Sequence, residues 1–207
     1  MRKLVTSTFV TLDGIMQAPG GPKEDDTGGF KSGGWSVNYW DDMMGQAMGE
    51  SMAKKPELLL GRKTYEIFAA YWPFAKDEPG ADSLNSARKY VASRTLNKVD
   101  WNNSTLIKGD VVKELTRLKA LDGPELQVLG SSNLLQTLLT HNLIDELHLW
   151  IFPVAIGNGK RLFGKETNPS NFKLLDSKTS STGVIIATYE QHGELRTGSF
   201  ALNNTKS

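Results

Sequence analysis

The 207-residue chain contains no cysteine, which excludes a disulfide framework, a thiolate metal site and a cysteine nucleophile. Its three histidines, His141, His148 and His192, lack metal-ligand spacing and assemble no Ser-His-Asp set, so no metal is expected and the imidazoles read as structural. Neither sign of charge prevails. With 24 Lys and Arg against 23 Asp and Glu, the formal net charge of +1 creates no general field for nucleic acid or an anionic membrane. An anionic ligand must therefore be gripped locally. Residues 1–10 include basic side chains but no apolar segment of signal-peptide length, and no later run could span a bilayer, so a soluble cytoplasmic protein is expected. There is no internal repeat, and the length suffices for one core and a single domain over residues 1–207.

What the chain does have is a series of short apolar runs punctuated by glycine. The most informative is Leu58-Leu59-Leu60-Gly61-Arg62-Lys63-Thr64-Tyr65-Glu66, a buried strand that turns directly into a helical pattern. A helix start leaves free backbone N–H groups and the positive end of a dipole, and here a glycine, two cations and a hydroxyl sit at that point. The segment suits a phosphate; it equally suits the solvated first turn of an ordinary helix. Leu126-Gln127-Val128-Leu129-Gly130 repeats the pattern, passing through Ser131-Ser132-Asn133 into an apolar helix over 134–139. Lys89-Tyr90-Val91-Ala92-Ser93 is a strand followed by Arg94, and residues 4–12 form a strand that stops at Asp13-Gly14, a turn-forming pair.

Elsewhere, residues 17–38 carry so many prolines and glycines that regular structure is excluded, leaving a functional lid or a disordered insertion. Trp35, Tyr39 and Trp40 at its end favour the lid; they would stack on a flat heterocycle or simply anchor the loop. Residues 41–54 read as a helix whose Met43, Met44, Met48 and Met52 are core packing or a flexible binding surface. A helix over 64–71 ends before Trp72-Pro73, 75–85 reads as surface loop, and 104–107 is a strand. Asp110 opens a helix with Val111, Val112, Leu115, Leu118 and Leu121 on one face, closed by Asp122-Gly123-Pro124. Residues 143–154 form a long strand whose 147–152 segment is bulky and apolar on both faces, to be covered by helices or by a second subunit, so a homodimer is expected. Strands over 172–176, 183–190 and 194–202, with a turn at His192-Gly193, finish the chain before a frayed tail at 203–207.

Alternating strands and helices up to residue 143, then strands alone, imply a mixed α/β sandwich whose ligand lies at the carboxyl ends of the parallel strands. Asp13-Gly14, Gly61-Arg62, Ser93-Arg94 and Gly130-Ser131 would converge there.

In order and content, Leu12-Asp13-Gly14, Leu60-Gly61-Arg62-Lys63-Thr64-Tyr65, Val91-Ala92-Ser93-Arg94, Val128-Leu129-Gly130-Ser131-Ser132-Asn133-Leu134 and Gly157-Asn158-Gly159-Lys160-Arg161-Leu162-Phe163 resemble the dihydrofolate reductase-like superfamily. The branch most similar is the reductase domain of bacterial riboflavin biosynthesis, the RibD C-terminal-like family. The resemblance spans about residues 3–165. It implies a three-layer α/β/α sandwich with a mixed, mainly parallel sheet and an antiparallel C-terminal end.

It further implies an NADPH site. Gly61, Arg62, Lys63 and Thr64 would hold a phosphate at one helix start, Gly130, Ser131, Ser132 and Asn133 would bring up a second, and Ser93 and Arg94 would take the ribose 2′-phosphate, favouring NADPH over NADH. Relatives often carry a run of glycines where this chain has Gly130-Ser131-Ser132. The implied activity is an NADPH-dependent reductase of a small heterocycle, including 5-amino-6-(5-phosphoribosylamino)uracil of riboflavin biosynthesis. The alternatives are a dihydrofolate reductase or a non-catalytic dinucleotide-binding protein that retains the fold. Asp13, Gly14, Trp40 and Asp41 are the substrate-side candidates, with Asp13 either orienting substrate and assisting protonation or forming its turn. Hydride transfer requires no nucleophile and no metal.

Overall fold

The computed structural model describes residues 1–75, 77–165 and 167–200. Eight strands form one sheet in the order β4-β3-β2-β5-β1-β6-β8-β7, with β1 Leu4–Thr11, β2 Glu57–Gly61, β3 Lys89–Ala92, β4 Ser104–Ile107, β5 Leu126–Leu129, β6 Glu146–Phe152, β7 Ser170–Thr179 and β8 Ile185–Glu194. The pairings from β4 through β6 are parallel, while β8 runs antiparallel to both β6 and β7. This is the expected dihydrofolate reductase-like sandwich with its antiparallel end.

The helices are α1 Asp42–Ala53, α2 Arg62–Tyr71, α3 Ala81–Ser86, α4 Val111–Ala120 and α5 Ser132–Thr140. Strand alternation sorts the core. Leu4, Val10, Leu59, Leu126, Val128, Leu147 and Leu149 point to the face covered by Leu115 and Leu118 of α4 and by Leu134, Leu135, Leu138 and Leu139 of α5. On the opposite face Leu58, Leu60 and Val91 pack with Met52 of α1, Tyr65 and Phe68 of α2 and Leu84 of α3. Phe9, Trp150 and Phe152 pack there with Met44 and Met48 of α1. Both faces of β6 are thus covered by elements of the same chain, so its two-sided apolar pattern gives no reason to invoke a second subunit.

Several expectations need correction. Residues 75–85 are not all loop, because Ala81 and Leu84 are buried and shape the short helix α3. His192-Gly193 is not a turn: β8 continues through it. Ser170 pairs with Glu194 and Phe172 with Gln191, so two residues of β8 oppose one of β7. This is a β-bulge, and Gly193 at φ 77° takes the left-handed position. No strand covers 195–200, and the expected strand end at 201–202 and tail at 203–207 lie outside the described residues.

The 17–38 segment is packed rather than disordered. Apart from two short 3-10 turns, Thr27–Gly29 and Val37–Tyr39, it is irregular, yet Ala18 and Phe30 are buried with Ile15 in a small core of their own. The Gln17 side-chain amide donates to the carbonyls of Asp25 and Thr27, and Trp35 Nε1 donates to the Gln17 carbonyl at 2.8 Å. Gly33 passes so close to the Gly21 carbonyl that a Cβ there would lie 2.5 Å from it. Among the described residues, no helix is long and apolar enough to cross a membrane.

Candidate functional site

β2 runs without a connecting loop into α2. Gly61, in extended conformation (φ −75°, ψ 162°), is the N-cap and supplies no side chain to the helix start. The glycine serves close approach rather than a special dihedral, since a Cβ there would stand 3.2 Å from Ser131 Cβ. Ser131 itself sits in the left-handed region (φ 66°, ψ 56°) and is the N-cap of α5. Its hydroxyl accepts from Gly61 N at 2.8 Å and lies 3.0 Å from Thr64 Oγ1 and 3.1 Å from the Leu129 carbonyl. The two helix starts are thereby locked side by side. Neither has a side-chain cap, whereas α1 and α4 are capped by Asp41 and Asp110, which accept from Met44 N and Lys113 N. The N–H groups that open α2 and α5 are left for a ligand.

Both starts open onto a cleft of about 950 Å³ at the carboxyl ends of the parallel strands. That volume lies at the upper end of the range for ligand pockets, enough for an extended molecule and a smaller companion. Gly61, Arg62, Lys63, Thr64, Ser93, Arg94, Gly130, Ser131, Ser132 and Asn133 all line it. Ser93 shapes the approach more than it offers a contact, because its hydroxyl accepts from Thr95 N and Leu96 N and folds the turn that presents exposed Arg94. Lys63 and Arg94 form no ion pair among the described residues. Among the described residues the ion-pair partner of Arg62 is the solvent-exposed Glu66 at 3.4 Å, a pair of little energetic weight. This donor set fits a dinucleotide phosphate chain: cations without strong internal partners beside uncapped amides.

Of the substrate-side candidates, Trp40 lines the cleft, stacked on Trp150 with ring planes 3° apart. Trp35 and Tyr39 do not; they pack edge-on against Phe152 and anchor the loop. Asp13, Gly14 and Asp41 also lie outside the cleft lining. The Asp13 carboxylate accepts from Thr11 Oγ1 at 2.5 Å, Ile156 N at 3.1 Å and Gly157 N at 2.6 Å. The Thr11 hydroxyl, ahead of either amide, holds its pKa down to about 2 against the opposing effect of burial. A carboxylate so engaged closes a turn and has no proton to give. Asp41 is spent likewise, on Met44 N and on Ser181 N and Oγ.

The cleft also includes groups that sequence reasoning missed. Ser7 and Phe9 of β1, Met48 and Met52 of α1, Phe68 and Trp72 line it from the α1–α2 side. The methionine stripe therefore does both jobs, with Met44 in the core and Met48 at the cleft. The period-2 pattern of β1 marks Ser7 and Phe9 as sharing a face, but nothing local says that this face ends in a cavity. From the ordered loop come Glu24 and Asp25, with Lys160 beside them. Burial raises the pKa of Glu24 although Gly20 and Gly21 amides oppose it. Burial would raise Asp25 as well, but hydrogen bonds from Lys160, at 2.5 Å, and Thr27 outweigh it and lower its pKa. Among the described residues no group of three acidic or histidine side chains is placed to hold a metal.

The same architecture occurs in solved structures. A protein of Shewanella sp. PV-4 assigned provisionally to riboflavin biosynthesis superposes with a TM-score of 0.69 at 22% identity, covering 93% of this chain and 99% of that one. A pyrimidine reductase-like protein of Corynebacterium diphtheriae gives 0.60 at 13% identity, over 93% of each chain. Dihydrofolate reductase of Enterococcus faecalis, complexed with NADP(H), gives 0.57 at 14% identity, over 91% of this chain and 96% of that one. Two Bacillus subtilis proteins named as uncharacterized are similar in sequence: YyaP, 29% identical over 93% of this chain and 96% of its own length, and YwjB, 25% identical over 89% and 96%. The model of the RibD C-terminal domain matches residues 2–186, a span that holds β1 through β7 and every cleft-lining residue named above, and the chain belongs to that family.

Proposed function

We propose that this protein is an NADPH-dependent reductase that transfers hydride to a small heterocyclic substrate. The observation that carries this reading is the pair of uncapped helix starts, α2 and α5, locked together by Ser131 and Gly61 and facing one cleft with Lys63 and Arg94. Bound NADPH supplies the hydride. The chain's own part is to bind and orient: amides of both helix starts, with Arg62, Thr64, Ser132 and Asn133, hold the pyrophosphate, and Arg94 takes the 2′-phosphate. The NADP(H) bound to the Enterococcus enzyme of the same fold supports the choice of cofactor class.

Trp40 and Trp72 line the cleft, so titration with NADPH and NADH followed by tryptophan quenching tests the reading directly. Saturable binding with NADPH much tighter than NADH is expected; binding of neither overturns it. Binding without turnover of any acceptor would favour a dinucleotide-binding protein that has lost catalysis.

We also propose that the protein is a homodimer, on different grounds from those the sequence offered. With β6 covered within the chain, the proposal rests on the terminal hairpin at the edge of the sheet, where Leu174, Leu175 and Ile185 are among the exposed apolar side chains.

A further inference from the structure

The substrate half of the cleft is chemically unlike its phosphate half. Beyond the first turn of α2, the lining on the α1–α2 side includes Phe9, Trp40, Met48, Met52, Phe68 and Trp72, two of them flexible thioethers and four of them rings. None carries a charge. The exception to its apolarity is Ser7, whose residue is 8% exposed and whose hydroxyl finds no hydrogen-bond partner among the described residues.

The cations of the cleft are accounted for elsewhere. Arg62 and Lys63 stand at the start of α2, and Arg94 follows β3, all at strand ends beside the uncapped amides. Lys160 is neutralised by Asp25 at 2.5 Å. The loop side adds Glu24, whose Oε2 accepts from Gly20 N at 2.6 Å, so any anion placed there would meet a carboxyl group and no spare cation. Desolvating an unpaired anion against thioethers and rings is strongly unfavourable.

We infer that the acceptor is an uncharged planar ring, without phosphate or carboxylate, held by stacking on Trp40 and by one hydrogen bond from Ser7. This rests on the reductase reading for the reaction but not for the binding. In the reaction a C=N bond of the ring accepts a hydride at carbon and a solvent proton at nitrogen, and the two electrons leave NADPH as NADP⁺. A phosphoribosylated pyrimidine, the substrate implied by the family resemblance, does not fit this lining because its phosphate would have no cation in the substrate half.

A matched pair of probes tests the inference: quinoxaline, an uncharged reducible ring, and quinoxaline-2-carboxylate, which adds one negative charge. Both are titrated by calorimetry into the full-length protein, with and without saturating NADP⁺. Quinoxaline is expected to bind at least about tenfold more tightly than the carboxylate. Trp40→Ala should weaken quinoxaline by about tenfold or more while leaving NADP⁺ affinity within about twofold. Ser7→Ala, which removes only the hydroxyl, should weaken it by a smaller factor. Tighter binding of the carboxylate, no measurable quinoxaline binding, or an unchanged Trp40→Ala affinity overturns the inference. Failure of NADP⁺ to bind overturns the reductase reading instead, and the preference between the two rings is still read in the dinucleotide-free titration.

Discussion

Ser131 Oγ accepts the Gly61 amide proton at 2.8 Å, joining the end of β5 to the end of β2 at the point where two helices begin. The serine achieves this in a left-handed conformation at φ 66°, which a residue with a Cβ adopts at a cost of about 1 kcal/mol. The chain accepts backbone strain here and gains a cross-strand tie.

Ser131→Ala and Ser131→Gly should therefore separate. The alanine variant keeps the strain and loses the tie, for a loss of about 1–2 kcal/mol in urea unfolding. The glycine variant loses the tie but sheds the strain, and should stay within about 1 kcal/mol of the parent. Equal destabilisation of the two would mean that the dihedral carries no cost.

Arg94 is exposed, lines the cleft and forms no ion pair among the described residues. Arg94→Ala should weaken NADPH by about 10- to 100-fold, the worth of a charge-assisted hydrogen bond, and leave NADH nearly unchanged. Parallel loss of both would place Arg94 on the pyrophosphate rather than the 2′-phosphate.

Asp13 is held at a pKa of about 2 by Thr11 Oγ1 and the amides of Ile156 and Gly157. Because the folded-state value lies below the ordinary 3.8, its stabilisation is complete above pH 4 or so and is lost as pH falls through about 2. Asp13→Asn should cost about 1–2 kcal/mol at neutral pH and flatten the acid limb of the stability profile, with dinucleotide affinity unchanged. A selective loss of turnover at full stability would restore Asp13 to the chemistry.

Lys89, fully buried at the start of β3, donates to the carbonyls of Asn85, Ala87 and Asn102 and lies 4.2 Å from the Trp101 ring centroid. Lys89→Met leaves three carbonyls without their donor and should cost about 2–4 kcal/mol. Burial also lowers the lysine pKa to about 8 from 10.5, so the unfolded chain holds the extra proton between those values and stability should rise with pH across that window. Lys89→Met should abolish that rise, measured by urea midpoints from pH 7.5 to 10.5.

Light scattering on the eluted protein should give twice the 22.8 kDa chain mass, and Leu174→Glu should return it to the monomer value. A monomer in the parent protein would remove the dimer proposal.

The helix-start side of the cleft was legible because its signals are local. A strand that ends in Gly61 and continues as Arg62-Lys63-Thr64 announces a helix start wherever the chain folds, and Gly130-Ser131-Ser132 does the same. Asp13 looked equally chemical, for a carboxylate beside a glycine suits a turn or a site, and only the tertiary structure brings the Ile156 and Gly157 amides onto it from far along the chain. His192-Gly193 likewise reads as a turn until its pairing partner supplies one residue fewer.

By itself the sequence determined the order of strands and helices apart from α3 and the extent of the last strand, the parallel body with its antiparallel end, and the glycine-to-cation helix starts, since these follow from periodicity, alternation of elements and local backbone preference. The tertiary structure alone decided that Phe9, Trp40, Met48, Met52, Phe68 and Trp72 share an uncharged wall, that Ser131 ties β5 to β2, and that the 17–38 loop is packed. These depend on which strand lies beside which and on what covers each face. That is fixed by long-range burial, which leaves no periodic trace in the chain.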